Sequence, residues 1–250
     1  MNSQLQFNID IFQSIDSTNL YLVENSSKIE APYVVISEIQ THGRGRGNKQ
    51  WFSNLGGSLT FSVLWNFGKN FSNLSGLSLI IALSLVRTLT KISEHQFCIK
   101  WPNDLLYKNQ KVAGILIECK TNSDHTISAI IGIGINLNLH PRIHSLLSYP
   151  VSDLTKITGS HLDRNVLIAG ILTELYLMLS EYEKFGFGFF KDEWSKHHCF
   201  NNKMVVLRMP QNSNISGIIK GVTDKGELIL QKDSSFLHFS TGEISLRPLR

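Results

Sequence analysis

Acidic residues are missing from a long internal stretch of this 250-residue chain, since Ile39–Ser93 contains no Asp and no Glu. The same stretch has a local charge of +6, carried by Arg44, Arg46, Lys49, Lys69, Arg87 and Lys91. The whole chain has 24 Lys and Arg against 20 Asp and Glu, or +4, so the remainder sums to −2. Positive charge concentrated around one loop favours an anionic ligand. The total of +4 is too small to indicate bulk nucleic-acid binding.

Cysteine is scarce, and histidine shows no metal-binding spacing. Cys98, Cys119 and Cys199 are odd in number and widely separated, so we expect neither a disulfide framework nor a zinc site, and we expect a reducing compartment. His197 and His198 are adjacent and have no partner ligands at metal spacing. We therefore predict that both histidines are surface or linker residues.

Long apolar runs and targeting signals are absent as well. The N-terminus lacks the basic and apolar regions of a signal peptide. The most apolar window, Leu77–Leu89, is too short to span a bilayer and contains Arg87. These absences predict a cytoplasmic protein that does not associate with membranes.

The composition is that of a globular protein with a substantial core. Hydrophobic residues make up 42% and charged residues 18% of the chain, which argues against disorder and coiled coil. Apolar patterns predict two helices, at Leu77–Ile92 and Asn165–Phe185, and strands at Phe7–Phe12, Tyr33–Ser37, Ser58–Trp65, Phe97–Lys100, Lys111–Glu118 and Thr126–Asn136. We interpret Leu105–Gln110 as a connection. Short β-like runs after Asn201 predict a small barrel, with a domain boundary between residues 1–200 and 201–250.

The most informative stretch is Gly43–Trp51, which reads Gly-Arg-Gly-Arg-Gly-Asn-Lys-Gln-Trp. Glycine lets a backbone approach a ligand closely, and arginine presents a planar fork of donors suited to carboxylate or phosphate. A phosphate-binding P-loop and a dinucleotide fingerprint are both excluded by the spacing. Three interpretations stay open from this stretch alone: an anion-binding loop, an ordinary solvated loop and a contact with RNA.

Two further patterns each allow two interpretations. The polar cluster Asp16–Asn19 precedes a short helix, so it is either a helix cap or a set of ligand contacts. Gly132 and Gly134 alternate along one strand, so one face of that strand carries no side chains there. Such a surface admits either a ligand or a closely packed helix.

Two lysines flank an acidic residue in the segment from Lys100 to Glu118. Lys100 ends one predicted strand and Lys111 begins the next, so a hairpin would bring both ammonium groups to one end of the sheet. Asp104 lies between them in sequence and is suited to hold Mg²⁺ or to order a lysine. This arrangement indicates chemistry on a phosphate or carboxylate.

Together these motifs resemble the biotin protein ligase family, biotin–[acetyl-CoA-carboxylase] ligase. The matching segments occur in the family's order and span nearly the whole chain: Asp16–Asn19, Gly43–Arg46 with Trp51, Lys100–Leu105, Lys111–Glu118, Gly132–Asn136 and Gly242–Arg247. The resemblance implies an α/β fold, with a mixed sheet flanked by helices in a class II synthetase-like catalytic domain and a small C-terminal SH3-like β-barrel. It also implies two steps: biotin and ATP give biotinyl-5′-AMP, and a lysine of a biotin carboxyl carrier domain then receives the biotin.

The resemblance also implies roles for individual residues. Ser17, Thr18, Asn19 and Gln40, with backbone near Gly114 and Gly132, would bind the ureido ring of biotin. Arg44, Gly45 and Arg46 would contact biotin or its adenylate, and Gly134 also belongs to the ligand-binding set. Trp51 would cover adenine or the closed loop, and Asn103, Asp104 and Asn136 would lie on the nucleotide or metal side. Catalytic roles fall to Lys100, Lys111, Arg46 and Asp104, with Mg²⁺ at Asp104.

Two departures from the family pattern limit the comparison. The family loop usually carries another glycine–basic pair where Asn48-Lys49-Gln50 stands here, which bears on how the loop closes. Some members carry an N-terminal DNA-binding domain, and the matching motifs here begin close to Met1, so we expect a ligase that is not a repressor. The acceptor would belong to acetyl-CoA carboxylase or another biotin-dependent carboxylase, and since family members include monomers and dimers, a homodimer stays open.

Two rival functions fit part of the sequence. A lipoate–protein ligase performs the same chemistry, but its usual Arg-Arg-x-x-Gly-Gly-Gly loop is absent. An RNA-binding module would use the Gly43–Trp51 loop and the C-terminal barrel, but it leaves Lys100–Asp104 unexplained and predicts a stronger basic balance.

Overall fold

A computed structural model describes residues 7–47, 49–68, 74–209, 214–240 and 245–248. None of the helices formed by these residues is both long enough and apolar enough to cross a bilayer.

The described residues before Met204 form seven strands and six helices. The strands are β1 (Asn8–Ile15), β2 (Tyr33–Gln40), β3 (Ser58–Phe67), β4 (Cys98–Lys100), β5 (Asp104–Tyr107), β6 (Gln110–Thr121) and β7 (Ile127–Asn136). The helices are α1 (Thr18–Asn25), α2 (Leu77–Ser93), α3 (Pro141–Leu146), α4 (Leu154–Thr158), α5 (Arg164–Phe185) and α6 (Lys191–His197), with a 3₁₀ turn at Phe187–Phe190.

The seven strands form one mixed sheet in the order β1-β2-β3-β7-β6-β5-β4. The pair β1–β2 is parallel, and the other neighbours are antiparallel. The prediction of a mixed sheet flanked by helices is therefore confirmed. The hairpin expected between Lys100 and Lys111 is wrong, because β5 lies between β4 and β6. We had interpreted β5 as part of a connection, yet its Leu105 and Leu106 are buried.

The two faces of the sheet have different partners. Phe61, Val63 and Trp65 of β3 belong to the main core, which they share with α2 and α5. Leu64 points to the other face, where it packs with Leu22 of α1. Since side chains alternate along a strand, the buried hydroxyls of Thr60 and Ser62 lie on the α1 face. The α1 face therefore carries polar groups beside a small apolar cluster.

Helix starts follow the capping residues in the sequence. The Ser17 side chain accepts a hydrogen bond from the backbone N–H of Leu20 at the start of α1. Asp163 accepts from the N–H groups of Asn165 and Val166 and so caps α5. Such caps satisfy N–H groups that have no partner inside the helix.

The expectations for cysteine and histidine were partly wrong. Cys98 and Cys199 form a disulfide although 101 residues separate them, while Cys119 is free and exposed. His198 is buried rather than a surface residue, and its ring stacks on Trp194 with 4.8 Å between centroids. Burial lowers the pKa of His198 to about 3, so this imidazole is neutral at physiological pH.

In the described part of the C-terminal segment, five strands form a second, antiparallel sheet. They are β8 (Met204–Arg208), β9 (Asn214–Val222), β10 (Leu228–Lys232), β11 (Ser235–Phe239) and β12 (Ser245–Pro248), in the order β11-β10-β9-β8-β12. Among the described residues no strand pairing joins β11 to β12, so a closed SH3-like barrel is not seen. Gly242–Ile244 of the expected C-terminal signature lie outside the described residues.

The second sheet contacts the first through the turn between β9 and β10. Gly226 in this turn has a φ of +77°, a conformation that glycine adopts without strain. Its carbonyl accepts a hydrogen bond of 3.1 Å from the indole Nε1 of the buried Trp101. The turn therefore contacts the loop that joins β4 to β5.

Arg87 does not contribute to a cationic ligand site, contrary to the interpretation of the acid-free stretch. Its guanidinium binds Glu193 through two hydrogen bonds of 2.7 and 2.5 Å, and Glu174 at 2.8 Å. It thereby joins α2 to α5 and α6. The hydrogen bonds from Arg87 lower the pKa of Glu193, although burial opposes this.

We predict that Arg87→Met lowers the free energy of unfolding by about 2 kcal/mol, because two carboxylates lose a charged partner. Urea unfolding would measure this, and Lys91→Met, at an exposed position of the same helix, should cost far less. Because the pKa of Glu193 is depressed in the folded state, its contribution is present above the ordinary value of 4.5. The contribution should be lost as the pH falls through the folded-state pKa. An equal loss in both variants would contradict the proposed network.

Candidate active site

A pocket opens on the α1 face of the sheet, where α1, the Gly43–Trp51 loop and strands β3, β6 and β7 meet. We call it the inner pocket. Its lining consists of Ser17, Thr18, Asn19, Gln40, Arg44, Gly45, Arg46, Trp51, Phe61, Asn103, Lys111, Gly114, Ile115, Leu116, Gly132, Ile133 and Gly134. Most of the residues singled out in the sequence therefore come together at one place.

Three predicted site residues do not line this pocket. Asp104 lies just behind it and contacts Lys111. Asn136 is buried, and its amide donates to the carbonyls of Lys111 and Ser152, so it holds backbone segments together. Lys100 is the last residue of β4 and pairs with Asp104 of β5. It therefore lies two strands away from Lys111 of β6.

The floor of the inner pocket is a patch of sheet without side chains. Gly114 of β6 lies opposite Gly134 of β7, and Gly132 lies two residues along the same strand. A Cβ at Gly132 would overlap the amide of Asn19, and a Cβ at Gly134 would overlap the indole of Trp51. The interpretation as a surface for a closely packed helix is therefore confirmed, since α1 packs on this face through Asn19, and the pocket beside it leaves space for a ligand.

The Gly43–Trp51 loop folds back on itself as a short hairpin. Arg44 and Gln50 form a β-bridge, and the N–H of Trp51 donates to the carbonyl of Gly43 at 2.8 Å. Gly47, with a φ of +62°, lies at the turn. A Cβ at Gly43 would overlap the carbonyl oxygen of Trp51, which explains the glycine there. The hairpin places the indole over the glycine floor.

Hydrogen bonds connect the polar side chains at the inner end of the pocket. Thr18 uses its N–H to donate to Oε1 of Gln40 at 2.8 Å, and its hydroxyl lies 2.7 Å from that of Ser62. Ser62 donates to Oδ1 of Asn19 at 2.6 Å. Ser17 both caps α1 and lines the pocket. The two interpretations of Asp16–Asn19 are thus compatible, whereas Asp16 itself is exposed and bonds Thr41.

The other end of the pocket is cationic. The ammonium of Lys111 lies 2.6 Å from the carboxylate of Asp104, and 5.5 Å and 5.7 Å from the ring centroids of Trp51 and Tyr149. Arg46 donates to Oδ1 of Asn103 at 3.2 Å. Burial lowers the pKa of Arg46, and the charge of Asp104 only partly opposes this. A desolvated guanidinium of this kind gains more than an exposed one when an anion binds.

Sequence reasoning did not assign a role to three features of the pocket. Glu118, at the end of a recognised motif, binds Arg44 and Asn19. Leu116 adds an apolar wall, while Phe61 and Ile133, whose side chains belong to the main core, also border the pocket. Tyr149 reaches Lys111 from a loop after β7. Strand alternation places Leu116 on the same face as Gly114 and could have suggested it. The partners of Glu118 and Tyr149 depend on contacts that sequence spacing does not encode.

A second cavity of about 300 Å³ lies between the two sheets. It shares Arg46, Asn103 and Ile115 with the inner pocket, and Lys225, Gly226 and Glu227 of the small sheet also line it. We call it the outer cavity. The two spaces therefore meet at Arg46 and Asn103.

The described residues contain no cluster of three or more His, Cys, Asp and Glu side chains able to hold a metal ion. Asp104 is a single carboxylate, and Lys111 already binds it. A single carboxylate fits Mg²⁺ only when phosphate oxygens and water complete the coordination. Any magnesium at Asp104 would have to arrive with a phosphate ligand.

A pocket that combines a polar end, a flat glycine floor and a cationic end is suited to a ligand with a carboxylate or phosphate group. The sequence profile of the biotin/lipoate A/B protein ligase family matches residues 11–136, and that of the biotin protein ligase C-terminal domain matches residues 201–247. The chain therefore belongs to the biotin/lipoate A/B protein ligase family. Within this family it is an enzyme of the biotin protein ligase branch.

Individual relatives agree with this assignment. The bifunctional ligase/repressor BirA of Escherichia coli is 33% identical over 239 residues, which cover 96% of this chain and 74% of that protein. The biotin–[acetyl-CoA-carboxylase] ligase of Paracoccus denitrificans is 27% identical, with 86% and 91% covered. Among solved structures, the biotin protein ligase of Aquifex aeolicus in complex with biotin and ATP superposes with a TM-score of 0.85 and 30% identity, covering 97% of this chain and 99% of that one.

We predict that Gly134→Ala displaces Trp51 from the pocket floor, because the new methyl group would occupy the position of the indole. Trp65, Trp101 and Trp194 are buried, so iodide quenching of tryptophan fluorescence should report mainly on Trp51 and should rise by about twofold. The free energy of unfolding should change by less than about 1 kcal/mol, since the indole can move.

Gly188→Ala is the matched control, because a Cβ there would make only ordinary contact with Asp224 at 3.4 Å. Unchanged quenching in Gly134→Ala would mean that Trp51 does not rest on this floor.

Proposed function

We propose that the chain activates biotin with ATP and transfers it to a lysine of a biotin carboxyl carrier domain. In the first step a biotin carboxylate oxygen bonds to the α-phosphorus of ATP, and the bond to pyrophosphate breaks. In the second step the lysine amine attacks the acyl carbon of biotinyl-5′-AMP, loses a proton and releases AMP. The observation that carries this proposal is one pocket with a hydrogen-bonding end and a cationic end.

The inner end of the pocket fits the ureido ring of biotin. That ring offers two N–H donors and one carbonyl acceptor, and Thr18, Asn19 and Gln40 provide hydroxyl and amide groups there. The glycine floor leaves room for a flat bicyclic ring, and Leu116, paired with Gly132, provides an apolar wall. Lipoate has a dithiolane ring without N–H or C=O groups, so it would leave these buried polar groups unpaired at a cost in affinity.

The cationic end fits the reacting groups. A carboxylate and a phosphate are both anions, so their approach requires positive charge nearby. Arg46 and Lys111 provide it, and we assign Lys111 to the transferring phosphate because Asp104 holds its ammonium at the pocket. Mg²⁺, carried by ATP and bound at Asp104, would neutralise further phosphate charge. Trp51 would cover adenine and exclude water from the adenylate.

The remaining assignments rest on the same proposal. Residues 1–200 would form the biotin- and ATP-binding domain, and residues 201–250 the C-terminal domain. Asn103, Asn136 and Lys100 would act on the nucleotide side, with Asn136 acting through the backbone that it holds. The acceptor would be the carrier domain of acetyl-CoA carboxylase or of another biotin-dependent carboxylase. A cytoplasmic location, the absence of repressor function and the oligomeric state stay predictions.

ATP–pyrophosphate exchange tests the proposal directly. We expect the purified protein to exchange pyrophosphate into ATP when biotin is added and not when lipoate is added, because only biotin pairs with the polar end. Exchange with lipoate alone would support the adenylation reaction and contradict biotin as the substrate. No exchange with either compound would overturn the adenylation reaction.

We predict that Lys111→Ala lowers the rate of this exchange by about 100-fold to 1000-fold, the effect of removing one group that stabilises charge in a transition state. Lys120→Ala, at an exposed position of the same strand, should keep the wild-type rate. A wild-type rate in Lys111→Ala would remove this lysine from the mechanism.

A further inference from the structure

We propose that Glu118, a residue with no assigned role, is a positioning residue that sets which groups of the inner pocket accept hydrogen bonds from the ligand. It also links those groups to the Gly43–Trp51 loop. This inference rests on the proposed function, because it concerns recognition of the N–H groups of the biotin ureido ring.

Glu118 holds two parts of the site at once. Its Oε1 lies 3.0 Å from the guanidinium of Arg44 in the loop, and its Oε2 accepts from the other terminal nitrogen of Arg44 at 3.3 Å. The same Oε2 accepts from Nδ2 of Asn19 in α1 at 2.9 Å. Loop and helix are thus joined through one carboxylate, whose side chain is 27% exposed.

This contact fixes the orientation of the Asn19 amide. A carboxylate and a backbone carbonyl only accept hydrogen bonds, and Asn19 faces both, because it also approaches the carbonyl of Leu116 at 3.3 Å. Nδ2 of Asn19 must therefore face these two acceptors, and Oδ1 must face Ser62. Oδ1 of Asn19 then accepts the single hydroxyl proton of Ser62 at 2.6 Å.

The orientation of the Asn19 amide also determines whether the Thr18 hydroxyl donates or accepts. Because Ser62 has given its proton to Asn19, the 2.7 Å bond between the hydroxyls of Ser62 and Thr18 requires Thr18 to donate. The Thr18 hydroxyl then has no proton left for Oε1 of Gln40, which lies 3.2 Å away, and it can accept a hydrogen bond from a ligand. Oε1 of Gln40 is an acceptor at the same place, where it already receives the N–H of Thr18 at 2.8 Å. The inner pocket therefore presents acceptors, which fits a ligand that offers N–H groups.

Glutamine at position 118 would preserve the shape of the side chain and change the directions of the hydrogen bonds that run from position 118 to Thr18. In Glu118→Gln one of the two carboxylate oxygens becomes an –NH₂ group, which donates. This group faces either the guanidinium of Arg44, at the position of Oε1, or the amide nitrogen of Asn19, at the position of Oε2. Either the loop arginine is released or the Asn19 amide turns over. Glu38→Gln is the matched control, because Glu38 accepts two bonds from Arg164 at 2.8 and 2.9 Å, is 23% exposed and does not line the inner pocket.

Calorimetric titration without ATP tests the inference with two ligands, biotin and biotin methylated on one ureido nitrogen. We expect Glu118→Gln to bind biotin about tenfold more weakly than the wild type, the loss typical of one hydrogen bond to a charged group. The preference for biotin over the methylated ligand should fall by about fivefold or more. Glu38→Gln should stay within about twofold of the wild type in both respects.

Two results would overturn the inference. One is a Glu118→Gln variant with the affinity and preference of the wild type, and the other is an equal loss in both glutamine variants. If Glu118→Gln does not fold, Glu118→Asp replaces it in the test, because aspartate keeps a carboxylate that only accepts hydrogen bonds. A retained preference of Glu118→Asp for biotin over the methylated ligand supports the inference, and a lost preference overturns it. A wild-type protein that does not bind biotin would overturn the proposed function, and this inference with it.

Discussion

The site depends on a patch of sheet that has no side chains. At Gly114, Gly132 and Gly134 the backbones of two neighbouring strands form an open surface, and Asn19, Trp51 and Lys111 lie directly on it. Any side chain at these positions would fill the space that these groups and a ligand share. The glycines cost backbone entropy, and strands usually avoid them. Here the long pairings of β6 and β7 with their neighbours, and the aliphatic core on the opposite face, offset that cost.

Paired charges hold the cations of the site in position. Arg44 is bound by Glu118 and Lys111 by Asp104, while Asn103 accepts a hydrogen bond from Arg46. Groups fixed in this way need little reorganisation when charge develops in a transition state, which makes their electrostatic contribution large. Before a ligand binds, neighbouring carboxylates partly neutralise the positive charges of the pocket. The pocket therefore avoids the repulsion that three unpaired positive charges would cause.

The small C-terminal sheet adds a second support to this region. Its turn at Gly226 bonds Trp101, and Trp101 belongs to the loop that also carries Asn103 and Asp104. The outer cavity lies at the same junction, with Arg46 and Asn103 in its wall. The position of the small sheet therefore affects Asn103 and Asp104, which contact Arg46 and Lys111. The described residues of the small sheet itself line only the outer cavity.

Local features were determined by the sequence alone: the caps at Ser17 and Asp163, the glycine alternation at Gly132 and Gly134, the long helices and most strands, and the order of motifs that indicated the family. These follow from short-range geometry, because capping, periodicity and turn conformation involve residues a few positions apart. Only the tertiary structure decided that β5 separates Lys100 from Lys111, that Cys98 meets Cys199, and that Arg87 binds two glutamates. It also placed Glu118 between Arg44 and Asn19. Each of these pairings depends on a distance in space between groups far apart along the chain, and the packing of the whole sheet and its helices sets that distance.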